Sequence, residues 1–443
     1  DFSNVVPLSK VPIVSHETCQ FQIYPDYKEI PKYTGVLYPY NHEIFRDRLK
    51  DNGLTPQIDA FHNATGQWAV DCYKADMEYC MRTQGFGGYQ LLDIKDYPGQ
   101  GSALCGILDA FMDSKGIVKA EDFRGWNSPV VPMAVMESYC WQNTDTLTFD
   151  VRLSNYTEDD YRQPVAWTLS TSDGTFCRQG EIDDVDLWNG EVVNVGSVSV
   201  PLAEIQTPAQ LLLTLETGDY RNHYNIWVFG EETDYQQKCF MADTIDSKML
   251  KVLERGGTVL LCPKQSSIEK QSVGGLFTPD YWNYAMFKTI SENNNKPVSP
   301  GTLGMLMDAQ HPLFSNFPTD GRTNWQWWSI ALHSRPLILN SLSKDYLPII
   351  QTVDNIERNH KLGILMEFKY SKGKLVICTT DLKEIAKYVE GKAYRDAVLK
   401  YVDSNQCNPQ TQITELELKE LLYSETQVRN IQGVKNISDY KEM

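Results

Sequence analysis

The sequence predicts a multidomain protein with α/β architecture at both ends and an all-β segment between them. Three observations predict it. Short β-branched runs alternate with helical patterns over the first 125 residues. A period-two alternation takes over from about residue 128 to 218, and strand-like runs punctuated by a helix return from about 224. The expected domains are 1–125, 126–220 and 221–405, followed by a polar segment, 406–443, with one helix. At 443 residues the chain has room for about three domains of roughly 150 residues each.

The elements follow in order. Val11-Pro-Ile-Val-Ser-His-Glu17 is a short apolar run expected as a buried strand, ending in a carboxylate. A helix is expected near 41–52, with Asn41 as cap and Gly53 as stop. A longer helical pattern lies within 56–83, with Gly66 as a candidate interruption. Gly85-Phe-Gly-Gly-Tyr-Gln-Leu-Leu-Asp93 is a second strand ending in a carboxylate. Strand, helices, strand is a βαβ unit of a parallel sheet. In the middle segment Leu147, Phe149, Val151 and Leu153 alternate with Thr148, Asp150 and Arg152, and turn signals such as Ser172-Asp-Gly separate further short strands. This pattern predicts an antiparallel β-sandwich. Asn225–Phe229 is then expected to open the last α/β domain, an open doubly wound sheet. That domain continues with a helix over 246–255, a strand over 258–262, and a late hairpin formed by 362–368 and 374–378.

Composition narrows the function. The formal net charge of −17 argues against nucleic acid or an anionic membrane as partner. No apolar run approaches the ~20 residues of a membrane span. A neutral, hydroxyl-rich ligand stays open, as does a homo-oligomer, and the first residues carry no targeting signal. Ten cysteines are scattered through apolar surroundings without Cys-x-x-Cys spacing, which points to buried small hydrophobes rather than structural zinc. No cofactor is expected.

Two clusters carry candidate chemistry. Glu17 at a strand end is either a structural ion-pair partner or a carboxylate presented at the top of a barrel, where such enzymes keep their catalytic groups. His16, Gln20, Gln22, Tyr24 and Tyr27 supply hydrogen-bonding and stacking groups suited to a polyol ring. Asp93, Asp96 and Gln100 form the second cluster, read either as loop chemistry or as sugar-hydroxyl recognition from the loop after a neighbouring barrel strand. Gln90 and Asp93 face the same way only if their strand is bulged. The run Asn324-Trp-Gln-Trp-Trp328 is expected in the core, with sugar stacking as its exposed alternative.

The stretches Ser15 to Tyr27, Lys32-Tyr-Thr-Gly35, Tyr89 to Gly101 and Leu108 to Gly116 together resemble the end of the catalytic (α/β)8 TIM barrel of glycoside hydrolase family 2-type β-glycosidases. These are bacterial relatives of β-galactosidase. The last α/β domain more loosely resembles a glutamine-amidotransferase-like module. The resemblance implies a retaining hydrolase of β-linked glycans with Glu17 as nucleophile at the end of strand seven. His16, Gln20, Tyr24, Gln90 and Asp93 would bind substrate, an oligo- or polysaccharide.

By family habit the location would be the periplasm or cell surface. The loop after Glu17 departs from the β-galactosidase pattern, so that enzyme's sugar specificity does not carry over. The acid/base Glu and six barrel strands would lie upstream of residue 1, which makes the chain an expected C-terminal fragment, inactive alone. Ammonia-transfer chemistry is not expected, because Cys262 lacks flanking glycines and no His-x-Glu is present. The rival reading is a non-catalytic carbohydrate-binding or scaffold protein.

Overall fold

The computed structural model describes residues 1–97, 103–231 and 235–425. Internal packing groups them into two compact units. The first takes in residues 1–20, 70–94 and 116–233, the second residues 21–69, 95–115 and 234–443. The residues expected as a first domain are thus divided between the two.

In the first unit, β1 (Ile13–Thr18) and β2 (Phe86–Leu91) form a two-stranded parallel sheet. No closed barrel exists among the described residues. The expected burial of the first strand is also corrected, since Val11 and Val14 are 70% and 53% exposed. Among the described residues β1 pairs with β2 alone, and its other edge carries no partner strand.

A three-stranded sheet in the order β3-β5-β8 and a five-stranded sheet in the order β4-β10-β9-β6-β7 complete this unit. The strands are β3 (Val130–Val135), β4 (Cys140–Gln142), β5 (Thr146–Asn155), β6 (Val165–Thr171), β7 (Cys177–Ile182), β8 (Glu191–Pro201), β9 (Ala209–Thr217) and β10 (Tyr220–Phe229). All neighbours are antiparallel except β4 and β10.

The two sheets share one core. Leu147, Phe149, Val151 and Leu153 of β5 lie in it with Leu211, Leu213 and Leu215 of β9 and Ile226 and Val228 of β10. The alternation has its direct physical outcome here, because every second side chain of a strand meets the facing sheet. Asn225–Phe229 therefore belongs to the sandwich and not to the following domain. The Gly218-Asp219 turn folds it back onto β9 in antiparallel register. Gly218 takes φ +54°, and a Cβ there would stand 2.9 Å from the Tyr161 hydroxyl, so this turn needs glycine.

The helix Ile58–Met81 runs unbroken through Gly66. Within the first unit, its Glu78 accepts hydrogen bonds from Asn222 Nδ2 at 2.8 Å and the Tyr224 hydroxyl at 2.9 Å, and pairs with Lys74.

The second unit is built on a seven-stranded mixed sheet. Its strands are β11 (Phe240–Ala242), β12 (Thr258–Leu261), β13 (Gly304–Met307), β14 (Leu337–Ile338), β15 (Ile350–Val353), β16 (Lys361–Tyr370) and β17 (Gly373–Cys378). The order is β11-β12-β17-β16-β15-β13, with β14 alongside β16. Only β11, β12 and β17 are mutually parallel; the rest pair antiparallel. This corrects the expected doubly wound sheet. The tight β16–β17 hairpin forces antiparallel pairing in the middle, and a wholly parallel sheet would need a crossover at that point.

The helix Ser247–Glu254 is capped by Asp246, whose carboxylate accepts from Lys248 N and Met249 N. Its Met249 and Leu253 share a core with Leu418, Leu421 and Leu422 of the helix Glu415–Tyr423. A Thr414/Glu417 capping box starts that last helix. Trp327 is fully buried against Phe317 and Tyr394, and Trp325 packs on Trp68 and Phe277. Core packing accounts for these two rings, while Trp328 is 42% exposed. Among the described residues no helix is long and apolar enough to cross a membrane.

Candidate active site

In a parallel pair both strands end on the same side, and the end of β1 and β2 gathers most of the expected site residues. The register runs Ser15↔Tyr89 and then Thr18↔Leu91. β1 therefore carries an extra residue between those pairs, with His16 and Glu17 in the bulge. Beyond it, Leu92 N donates to Thr18 O at 3.0 Å. Bulges re-aim side chains and disturb regular pairing. Here the backbone turns left-handed twice, at Glu17 (φ +53°) and Cys19 (φ +71°). Neither residue is glycine, and such conformations cost of order 1–3 kcal/mol each.

The side chains of the bulge are largely in solvent, with His16 and Glu17 74% and 47% exposed. His16 Nδ1 lies 2.7 Å from Gln90 Oε1, and its Nε2 lies 3.5 Å from Glu17 Oε1. Gln90, His16 and Glu17 thus form a chain across the two strand ends. Gln20 Nε2 donates to the Glu17 carbonyl at 2.8 Å, bracing the left-handed turn. Asp93 Oδ1 accepts from Ile94 N at 2.7 Å, which leaves its other oxygen as a further acceptor site.

The helix supports this end with groups that sequence reasoning missed. Asp76 accepts the Cys19 N–H, and burial nevertheless pushes its carboxyl up to about 6. The Tyr73 hydroxyl donates to Asp93 O at 3.4 Å, and the Tyr73 carbonyl lies 3.8 Å from Cys19 Sγ. Ser15 and Thr18 hydroxyls share a hydrogen bond of 2.7 Å. Burial raises the Cys80 thiol to about 11 and the Tyr89 phenol to about 12, so both stay neutral at physiological pH. The available signal was a carboxylate inside the apolar helical run 68–81, but nothing local separates Asp76 from Asp71 or Glu78.

Other expected residues lie elsewhere. Tyr24 belongs to the second unit, where it is 1% exposed. Its hydroxyl donates to Asn359 Oδ1 at 2.6 Å, and its ring packs edge-on against Tyr27 and Phe61. Asp96 is also in the second unit, 2% exposed and paired with Lys115 at 2.6 Å. Desolvation outweighs that partner and holds its carboxyl at about 6. Gln100 lies outside the described residues. Among the described residues no group of three or more His, Cys, Asp or Glu is placed to hold a metal ion.

Two family models match the chain, each described as a domain of unknown function: DUF8488 over residues 145–230 and DUF8487 over 240–423. The first span runs from β5 through β10, the second from β11 to the end of the last helix. No curated protein matches the chain. Solved structures similar to part of it include a β-D-mannosidase from Dictyoglomus thermophilum, with a TM-score of 0.32, 12% identity, and 53% of this chain aligned to 30% of that one. A β-glucosidase from Listeria innocua in complex with glucose gives 0.20 and 13% over 23% of this chain and 16% of its own. The alkylpurine DNA glycosylase AlkC from Pseudomonas fluorescens gives 0.20 and 9% over 23% of this chain and 31% of its own. The chain spans less than a third of each of these proteins, and at these scores none of them assigns its fold or activity.

Proposed function

We propose that the β1–β2 end carries the nucleophile side of a retaining β-glycosidase site, with Glu17 as the nucleophile. The observation that carries the reading is the parallel register, which brings Glu17 and Asp93 to the same strand end. The sequence resemblance of residues 15–27 and 89–101 supports it.

In this reading the Glu17 carboxylate attacks the anomeric carbon, and a glycosyl–enzyme ester forms as the leaving oxygen takes a proton from a second carboxyl. That group then deprotonates water, which cleaves the ester with net retention. The two carboxyls must stand about 5–5.5 Å apart. Among the described residues two parallel strands form this end and no barrel closes, so the reading also requires an acid/base carboxyl and further strands. His16 and Gln90 orient the nucleophile, while Asp93 and Gln20 are assigned to glycone hydroxyls. The carboxyl chemistry requires no cofactor. A periplasmic or surface location and a polysaccharide substrate belong to the same proposal.

Its test is stereochemical. The full-length protein is incubated with 4-nitrophenyl β-glycosides of common hexoses and pentoses, and the first-formed anomer is followed by proton NMR. A β anomer appearing first supports the proposal. An α anomer, or no hydrolysis of any member by folded protein, overturns it and favours a carbohydrate-binding role without catalysis.

A further inference from the structure

The second unit holds a cavity of about 370 Å3 that the β1–β2 site does not use, within the size range of small-molecule sites. It is formed where β13 and β15 meet the loop before β15, and its lining includes Gln57, Asp308, His311, Leu347, Gln351 and Glu367. Gln351 is 2% exposed.

The amide pair in this wall is incompletely satisfied. Gln57 Nε2 donates to Gln351 Oε1 at 2.7 Å. Among the described residues neither Gln57 Oε1 nor Gln351 Nε2 has a hydrogen-bond partner, and both atoms are buried. Exchanging oxygen and nitrogen in both amides gives the same result, one orphan acceptor and one orphan donor. Such groups are rare in native interiors and call for an occupant. A hydroxyl group answers both, donating to one and accepting from the other. Both residues line the cavity, and Gln57 is half-buried.

The remaining lining sets the charge of the ligand. Glu367 accepts from the Tyr401 hydroxyl at 2.6 Å, and burial raises its carboxyl pKa. The exposed Asp308 adds a second acid. His311 accepts from Leu313 N through Nδ1, and burial lowers its pKa, which favours the neutral ring. An anion finds no lysine or arginine in the lining. Carboxyls, neutral amides and an apolar wall at Leu347 together suit a polyhydroxylated neutral molecule, since paired acceptors and donors recognise vicinal hydroxyls while aliphatic side chains cover C–H faces.

We infer that this cavity is a binding site for a neutral sugar or polyol of mono- to disaccharide size, held through the Gln57–Gln351 amide pair. It stands independently of Glu17 and of any hydrolysis.

The test is saturation-transfer-difference NMR and calorimetry on the full chain with glucose, galactose, mannose, xylose, cellobiose and lactose, plus putrescine as a cationic control. The expected result is binding of at least one sugar. That binding should weaken at least tenfold in Gln351→Leu and in Leu347→Trp, which fills the mouth from an exposed position. Leu347→Trp keeps the test decisive if the buried substitution impairs folding. No sugar bound at 10 mM, binding indifferent to Leu347→Trp, or binding of putrescine alone would each overturn the inference.

Discussion

Carboxylates of the same kind stand in opposite circumstances in the two units. Glu17 of the first unit is 47% exposed, sits on a left-handed backbone and touches a histidine at 3.5 Å. Asp354 of the second unit is 3% exposed and fully engaged. Its Oδ1 accepts from Arg358 Nε at 3.1 Å and Nη2 at 2.6 Å, and its Oδ2 accepts from His360 N at 3.0 Å. A carboxylate with both oxygens engaged in a desolvated network holds structure together. One presented on an irregular strand end has free acceptor capacity, and its backbone carries the cost of a left-handed conformation. Exposure, backbone conformation and engaged hydrogen bonds therefore distinguish these two acids where residue type does not.

The largest effect is expected at Glu17. In the full-length protein Glu17→Gln is expected to lower kcat by about ten-thousandfold, as removal of a covalent nucleophile does. The thermal midpoint should move by no more than about 1 °C, because the side chain is in solvent. Steady-state kinetics beside a thermal melt reads both. A large melt shift with retained activity would reverse the roles assigned to the two kinds of acid.

Asp354→Ala should do the opposite. It leaves Arg358 buried without its partner, and breaking such a pair costs about 3–5 kcal/mol. A chemical denaturation curve of the second unit's signal measures it.

Asp76 sharpens the contrast through pH. Its folded pKa of about 6 lies above the ordinary aspartate value of 3.8, so the folded state favours the protonated form. The stability it contributes is complete below about pH 4 and is lost as pH rises through 6. Asp76→Asn removes this loss, and its stability relative to the unsubstituted protein should rise by at most about 3 kcal/mol between pH 4 and pH 7. Denaturation curves at the two pH values check the sign. The smallest effect belongs to His16→Ala, expected within about 0.5 kcal/mol in stability for a side chain 74% exposed.

What the sequence made legible was periodic or local. The alternation of Leu147 to Leu153 is realised as a strand with those four side chains buried. Asp246 followed by an amphipathic run is realised as a capped helix. The carboxylate-terminated runs at Glu17 and Asp93 are realised as neighbouring strands. What stayed hidden depends on partners distant in the chain. Val14 has the composition of a core residue, but only the pairing of β1 with β2 alone decides its exposure. Asn225–Phe229 is apolar enough for either neighbouring domain, and the turn at Gly218 assigns it. Asp96 looked like a loop residue until Lys115 and Gly106 enclosed it. The Gln57–Gln351 pair joins positions 294 residues apart, beyond any local pattern.

The central claim is that Glu17 forms a covalent bond to substrate, and trapping that bond tests it most directly. The full-length protein is incubated with a panel of 2-deoxy-2-fluoro glycosides bearing good leaving groups, followed by intact-mass spectrometry and peptide mapping. The account predicts one stable glycosyl adduct on the peptide containing Glu17, absent in Glu17→Gln. An adduct on another carboxylate, or folded protein left unlabelled by every sugar while hydrolysing its substrate, would contradict it.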